Sequence, residues 1–245
     1  MATSPDSAPA PDTAPDLPEG RHRAGVLHGR RAGRPLRRDQ RARMARDLPS
    51  LAIPLPALAD PAALFPGPVA ALRLEVGFGG GEHLAYEAGR CPDVGFIGCE
   101  PFLNGVAKLV ERIDALDLDN VRLHPGDAGE LLDALPPASL DGADVFYPDP
   151  WPKRRQRKRR FLSEGNLGRL ARALKPGAPL RFATDIDDYA GWVLARVLRG
   201  EDFAWEAREA DDWRRPFPDW PSTRYEQKAI REGRPPAYFT FRRRA

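Results

Sequence analysis

Sulfur is scarce in this 245-residue chain: Cys91 and Cys99 are its only cysteines, too few for a disulfide framework or a four-cysteine metal site. The four histidines, His22, His28, His83 and His124, show no ligand spacing, which argues against a catalytic metal. Long apolar runs are missing as well. Residues 51–72 are largely apolar, but Pro54, Pro56, Pro61, Pro66 and Pro68 interrupt them, so they cannot cross a bilayer as a helix. The first twenty residues carry acids and prolines where a secretory leader needs a basic start and an apolar stretch. The 22 glycines and 27 prolines have no period, which excludes collagen-like and solenoid architectures. The expectation from these absences is a soluble protein of a reducing cytosol.

What is present suits one globular domain: 42% hydrophobic and 30% charged residues over a length at which single α/β domains are common. Lys+Arg 38 against Asp+Glu 35 leaves a net charge of only +3, yet the signs are segregated, and local fields attract polyanions. Residues 1–20 are rich in Pro, Ala, Ser and Asp and cannot offset the entropy of ordering, so they read as a disordered tail. Residues 21–50 read as a partly ordered basic arm that clamps RNA: Arg21, Arg23, Arg30, Arg31, Arg34, Arg37, Arg38, Arg41, Arg43 and Arg46 are opposed only by Asp39 as far as residue 46. The domain proper is expected over 51–245.

There, short β-branched or aromatic runs alternate with helical patterns, the signature of parallel strands joined by crossovers with helices on both faces of the sheet. Strands are predicted at 72–76, 94–99, 121–124, 142–147 and 179–183. Helices are predicted at 82–89, 103–115, 128–135, 161–174 and 186–198. Two further strands, 203–206 and 238–242, should pair antiparallel at one edge, with a short helix or ordered loop at 223–232 between them.

Ligands of such sheets sit beyond the carboxyl ends of the strands, where strand order reverses. The first strand ends in Glu75-Val76-Gly77-Phe78-Gly79-Gly80-Gly81-Glu82, in which Gly77 and Gly79 allow close backbone approach to a ligand. A dinucleotide motif begun at Gly77 needs its third glycine where Glu82 stands, and no phosphate-loop lysine follows, so nicotinamide and triphosphate ligands are disfavoured. Instead, acids ring the crevice: Glu75 and Glu100 end strands one and two, and Asp127 and Asp149 follow strands three and four. Four carboxylates repel a pyrophosphate but suit S-adenosylmethionine, with its sulfonium, ammonium, ribose diol and adenine amine. Glu100 is placed for the ribose hydroxyls and Asp127 for the adenine amine, although Asp127 also fits a helix N-cap.

A second constellation follows: Phe146-Tyr147-Pro148-Asp149-Pro150-Trp151-Pro152-Lys153, then Arg154, Arg155, Gln156, Arg157, Lys158, Arg159 and Arg160. A basic run alone usually marks a solvated face or a localisation signal. On the rim of a cofactor crevice it can hold a phosphate backbone while Trp151 stacks a base, the alternative for Trp151 being core burial. Asp185 ends the fifth strand on the same rim, or else caps the next helix ahead of Asp187 and Asp188. Thr223-Arg224-Tyr225-Glu226 has the form of a capping box.

Residues 74–81, Gly98-Cys99-Glu100-Pro101, the segment 146–155 and Thr223-Arg224-Tyr225-Glu226 together resemble the bacterial tRNA (guanine-N7)-methyltransferase family, from about Arg21 to the final residue. Tyr147 stands where that family usually has phenylalanine, and Pro152 where histidine is common, which removes any imidazole role there. The resemblance implies a Rossmann-like class I methyltransferase that methylates N7 of a variable-loop guanosine in tRNA, using S-adenosylmethionine and no metal. It also implies that Glu75, Gly77, Gly79, Glu100, Asp127 and Asp149 contact the cofactor, Asp149 being catalytic as well. Lys153, Asp185, Thr223, Arg224, Tyr225 and Glu226 would contact the target nucleotide, and Arg155, Gln156, Arg157, Lys158, Arg159 and Arg160 the RNA. A methyltransferase acting on another RNA, and a catalytically silent RNA-binding relative, are the alternatives.

Overall fold

A computed structural model describes residues 31–55 and 58–245; the expected tail and the first part of the basic arm lie outside the described residues. Seven strands form one sheet: β1 (Ala71–Val76), β2 (Val94–Cys99), β3 (Val121–His124), β4 (Gly142–Phe146), β5 (Pro179–Thr184), β6 (Phe203–Trp205) and β7 (Ala237–Arg243). Their order is β3-β2-β1-β4-β5-β7-β6. The first five strands run parallel, while β7 lies antiparallel between β5 and β6, as the pattern at the edge predicts. Strand order reverses between β1 and β4, which sets the ligand crevice at their carboxyl ends.

Eight helices are described: α1 (Arg38–Leu51), α2 (Glu82–Arg90), α3 (Leu103–Leu116), α4 (Ala128–Ala134), α5 (Glu164–Ala173), α6 (Asp187–Arg199), α7 (Asp211–Arg214) and α8 (Arg224–Arg231). Helices α1, α2 and α3 bury Met44, Leu48, Leu84, Val106, Leu109 and Val110 over β2 and β3. Helices α4, α5 and α6 bury Leu131, Leu132, Leu170 and Val193 against Leu74, Val145 and Phe182 on the opposite face. The start expected for α5 at residue 161 moves to 164, because the Ser163 hydroxyl accepts from the Asn166 amide at 3.5 Å and takes the N-cap position. The basic run folds as a 3-10 helix over Arg154–Arg159.

The arm's last part is α1, amphipathic enough to bury Met44, Leu48 and Leu51. Its Arg43 and Arg46 bond Asp114 of α3 at 3.0 and 3.2 Å. Upstream, the Leu103 amide donates to the Arg31 carbonyl at 2.9 Å, and the Asn104 side chain bridges Gly33 and Arg34.

Parallel strands covered on both sides usually read as unbroken apolar runs. Here β1 and β5 carry Arg73, Glu75 and Arg181 between apolar residues, and the fully buried β4 places Asp144 among them. Asp144 of β4 is 3% exposed and accepts from Arg73 of β1 at 3.0 Å and from Arg181 of β5 at 2.6 and 3.0 Å. Burial alone would raise the Asp144 carboxyl, but the guanidinium of Arg181, then that of Arg73, holds it well below the usual carboxylate range. In the sheet register Asp144 stands beside Glu75 on one side and Arg181 on the other.

Candidate active site

The turn leaving β1 passes through left-handed backbone at Gly77 and Gly79, with φ of 74° and 57°. A Cβ on Gly77 would meet nothing within 4 Å, so the turn opens onto free space at the crevice. Behind it α3 comes so close that a Cβ at Gly105 would lie 2.2 Å from the Gly79 carbonyl oxygen. Glu100 fixes the same turn from β2. Its Oε2 accepts from the Gly79 amide at 2.8 Å and its Oε1 from the Phe102 amide at 2.9 Å. Burial raises the Glu100 pKa; the two amides oppose the shift, and the nearby Asp149 charge adds to it. A carboxylate has about four acceptor sites, so both oxygens retain capacity for further donors.

Glu75 is buried, and its Oε2 lies 2.7 Å from Nδ1 of His83, in the first turn of α2. The His83 ring is itself buried, with Phe146 edge-on at 4.8 Å and Trp220 at 5.0 Å between centroids. Burial pushes the imidazole pKa down, but the adjoining Glu75 carboxylate outweighs burial and leaves it raised. Asp127 realises its capping alternative: Oδ1 accepts from the Gly129 amide at 2.7 Å at the start of α4.

Asp149 stands exposed on the rim after β4, with its pKa pushed up by partial desolvation. Its loop is bracketed by two non-glycine residues in left-handed backbone, Tyr147 at φ 50° and Trp151 at φ 41°. Each such residue costs on the order of 1–3 kcal/mol and persists only where the surroundings enforce it. Trp151 is half-buried on the rim rather than in the core, beneath the Arg159 guanidinium at 5.0 Å.

Asp185 caps nothing; Ile186 is the N-cap of α6, and Oδ2 of Asp185 instead accepts from Nε of Arg234 at 2.7 Å. Thr223 does cap α8, through the Glu226 amide at 3.2 Å. The box is not completed, because Glu226 turns inward at 2% exposure to accept from Nε1 of Trp220 at 2.7 Å and from the Tyr238 hydroxyl. Arg224 lies over the Tyr225 ring at 4.8 Å, and a Cβ on Gly79 would sit 3.4 Å from Tyr225. The first turn of α8 therefore lies across the glycine turn. Gly79, Glu100, Asp149, Arg224 and Tyr225, spread from position 79 to position 225, converge on one crevice.

Lys153, Arg155 and Lys158 are exposed, and Gln156, Arg157 and Arg159 partly so. Arg160 requires a correction. Its side chain is 0% exposed and bonds Asp188, so it is unavailable to an RNA phosphate. Arg157 is also engaged, with Nη2 2.6 Å from Oδ1 of Asp188. Sequence reasoning missed His83, Arg234 and Trp220 as partners of the site acids. Among the described residues no His, Cys, Asp and Glu cluster is arranged to hold a metal ion, and no helix is long and apolar enough to cross a membrane.

A family model described as "Putative methyltransferase" matches residues 70–238. The chain is 53% identical over 227 residues to the tRNA (guanine-N(7)-)-methyltransferase of Azorhizobium caulinodans, covering 93% of this chain and 98% of that protein. It is 55% identical over 221 residues to the tRNA (guanine-N(7)-)-methyltransferase of Mesorhizobium japonicum, covering 89% and 95%. Among solved structures, 16S rRNA methyltransferase KamB superposes with a TM-score of 0.51 at 16% identity, covering 72% of this chain and 89% of that one, a likeness of fold alone.

Proposed function

The chain belongs to the tRNA (guanine-N(7)-)-methyltransferase family, and from that premise we propose which of its residues hold the donor, read the guanine and carry the transfer. The protein transfers a methyl group from S-adenosylmethionine to N7 of guanine in tRNA. The donor supplies an electrophilic methyl on a sulfonium.

The crevice fits that donor. Gly77 opens onto free space, and Glu100 is locked to the glycine turn with acceptor capacity to spare for the ribose hydroxyls. Glu75, oriented by His83, adds negative charge toward the cation, and the free acceptor capacity of Asp127 serves the adenine amine. Guanine N7 carries a lone pair and no proton, so no base has to remove one before attack. The work left to the protein is alignment and charge. Proximity contributes roughly 7–11 kcal/mol in the best oriented intramolecular reactions. As positive charge passes to the guanine ring, the rim carboxylates of Asp149 and Asp185 follow it and accept from N1–H and N2–H. Adenine, with an acceptor at N1 and no amine at C2, is refused. Lys153, Arg224 and Tyr225 enclose the nucleotide; Thr223 and Glu226, buried and bonded within the protein, hold that turn in place rather than contacting the base, and Arg155, Gln156, Arg157, Lys158 and Arg159 approach the phosphates from the rim. Cytoplasmic tRNA bearing a variable-loop guanosine is the substrate we assign.

The observation that supports this assignment most is the convergence of Glu100, Asp149 and the first turn of α8 on the glycine turn. Incubating labelled S-adenosylmethionine with unmodified tRNA and digesting to nucleosides should yield 7-methylguanosine. Asp149→Asn should leave tRNA binding nearly intact while transfer falls by about two orders of magnitude or more, the usual cost of losing a preorganised electrostatic group. Unchanged turnover in that variant would reject Asp149 as the catalytic residue.

A further inference from the structure

Among the described residues Arg160 is the most deeply buried charged side chain, at 1% exposure, and the proposed cofactor and guanine contacts leave it without a task. Its Nε donates to the Pro150 carbonyl at 2.8 Å, inside the Asp149 loop. Its Nη1 donates to the Asp188 carbonyl at 3.2 Å, and its Nη2 bonds the Asp188 carboxylate. Its guanidinium carbon lies 4.8 Å from the ring centroid of Tyr189 and 5.4 Å from that of Trp192, both on α6. A planar, delocalised cation with five donors in a fixed fork is suited to such a site, and a lysine cannot reproduce it.

The two segments joined in this way are the ones that carry the rim acids. Pro150 follows Asp149 directly, and Asp188 lies in the first turn of α6, three residues after Asp185. The Asp149 loop is strained at both ends, at Tyr147 and Trp151, and so depends on an anchor between them. We infer that Arg160 is a positioning residue: with Asp188 it forms a clamp that sets the separation of Asp149 and Asp185, and it takes no part in holding RNA. Arg157, on the other oxygen of Asp188, steadies the clamp from its exposed side. The inference rests on the proposed roles of Asp149 and Asp185. Its physical content, a fixed loop, can be tested without them.

The experiment compares Arg160→Lys and Asp188→Asn with the native full-length chain. Expected in both is a fall in kcat of about tenfold to a hundredfold, since a misplacement near 1 Å costs on the order of 10²-fold. KM for tRNA and the salt dependence of tRNA affinity should stay as they are, and the double variant should be little worse than either single one. Amide hydrogen exchange should quicken at residues 147–153 and 185–189 in both variants. In Arg160→Met, which removes the charge, a weakened tRNA affinity with a shallower salt slope, with Asp188→Asn unaffected, would make Arg160 an RNA ligand and overturn the clamp. Unchanged exchange in those two segments would overturn it as well. Asp149→Asn run alongside separates the two ideas: undiminished turnover there rejects the catalytic assignment, while the exchange data still decide the clamp.

Discussion

At the scale of single residues, the buried His83–Glu75 pair carries its own test. The imidazole is raised in the folded chain, so its stabilisation is complete below the unfolded value near 6.5 and is lost as pH climbs through the higher folded value. Melting temperatures of the native chain and of His83→Gln should therefore differ most at mildly acidic pH and converge on the alkaline side. A gap that widens with rising pH would mean that the neutral ring is the stabilising form. Glu100 and Asp149 predict the opposite limb of activity: both have raised values, so kcat/KM should start to fall above the ordinary carboxylate range as the medium is acidified. Such acids are visible in the sequence because Glu75, Glu100, Asp149 and Asp185 stand just at or after strand ends. Their partners are not, because tertiary packing decides what each acid touches: His83 is 8 positions from Glu75, Arg234 is 49 from Asp185, and Asp188 is 28 from Arg160. A basic run likewise hides which of its members turns inward, since nothing local distinguishes Arg160 from Arg159.

At the scale of elements, strands and crossover helices were legible because their periodicities differ, and the caps that move their ends were less so, as Ser163 shows for α5. The basic arm divides unevenly. From residue 31 onward it is tied to α3 through Arg31, Gly33 and Arg34, and α1 buries Leu48 at 5% exposure. Removing residues 1–30 should weaken tRNA affinity and flatten its salt dependence, leaving stability and cofactor affinity as they were. Leu48→Ala should cost about 2–5 kcal/mol in urea unfolding, the usual range for emptying a core leucine site. Equal loss of cofactor and tRNA affinity on removing residues 1–30 would show that the deleted segment supports the fold rather than the RNA.

At the scale of the whole molecule, a net charge of +3 conceals a segregation of sign between acids at the strand ends and the cationic run at 153–160. Replacing Arg155 and Lys158 together by alanine should reduce the slope of log affinity against log salt by about 1.4–1.8, at roughly 0.7–0.9 for each phosphate no longer neutralised. An unaltered slope would place the RNA on another face. The sheet itself adds a constraint on how that arrangement is built. Strand β7 comes after β6 in the chain yet is seated between β6 and β5. A nascent polypeptide therefore cannot zip its sheet in the order of synthesis: β6 waits unpaired until β7 threads into the slot. Tyr238, which holds Glu226 beneath the first turn of α8, arrives on that same late strand. On the proposed assignment, the strands around the donor half of the crevice can pair before β7 is made, and the α8 wall proposed for the guanine is the last piece to lock, so a ribosome stalled before residue 237 should leave a crevice with nothing to close over its target.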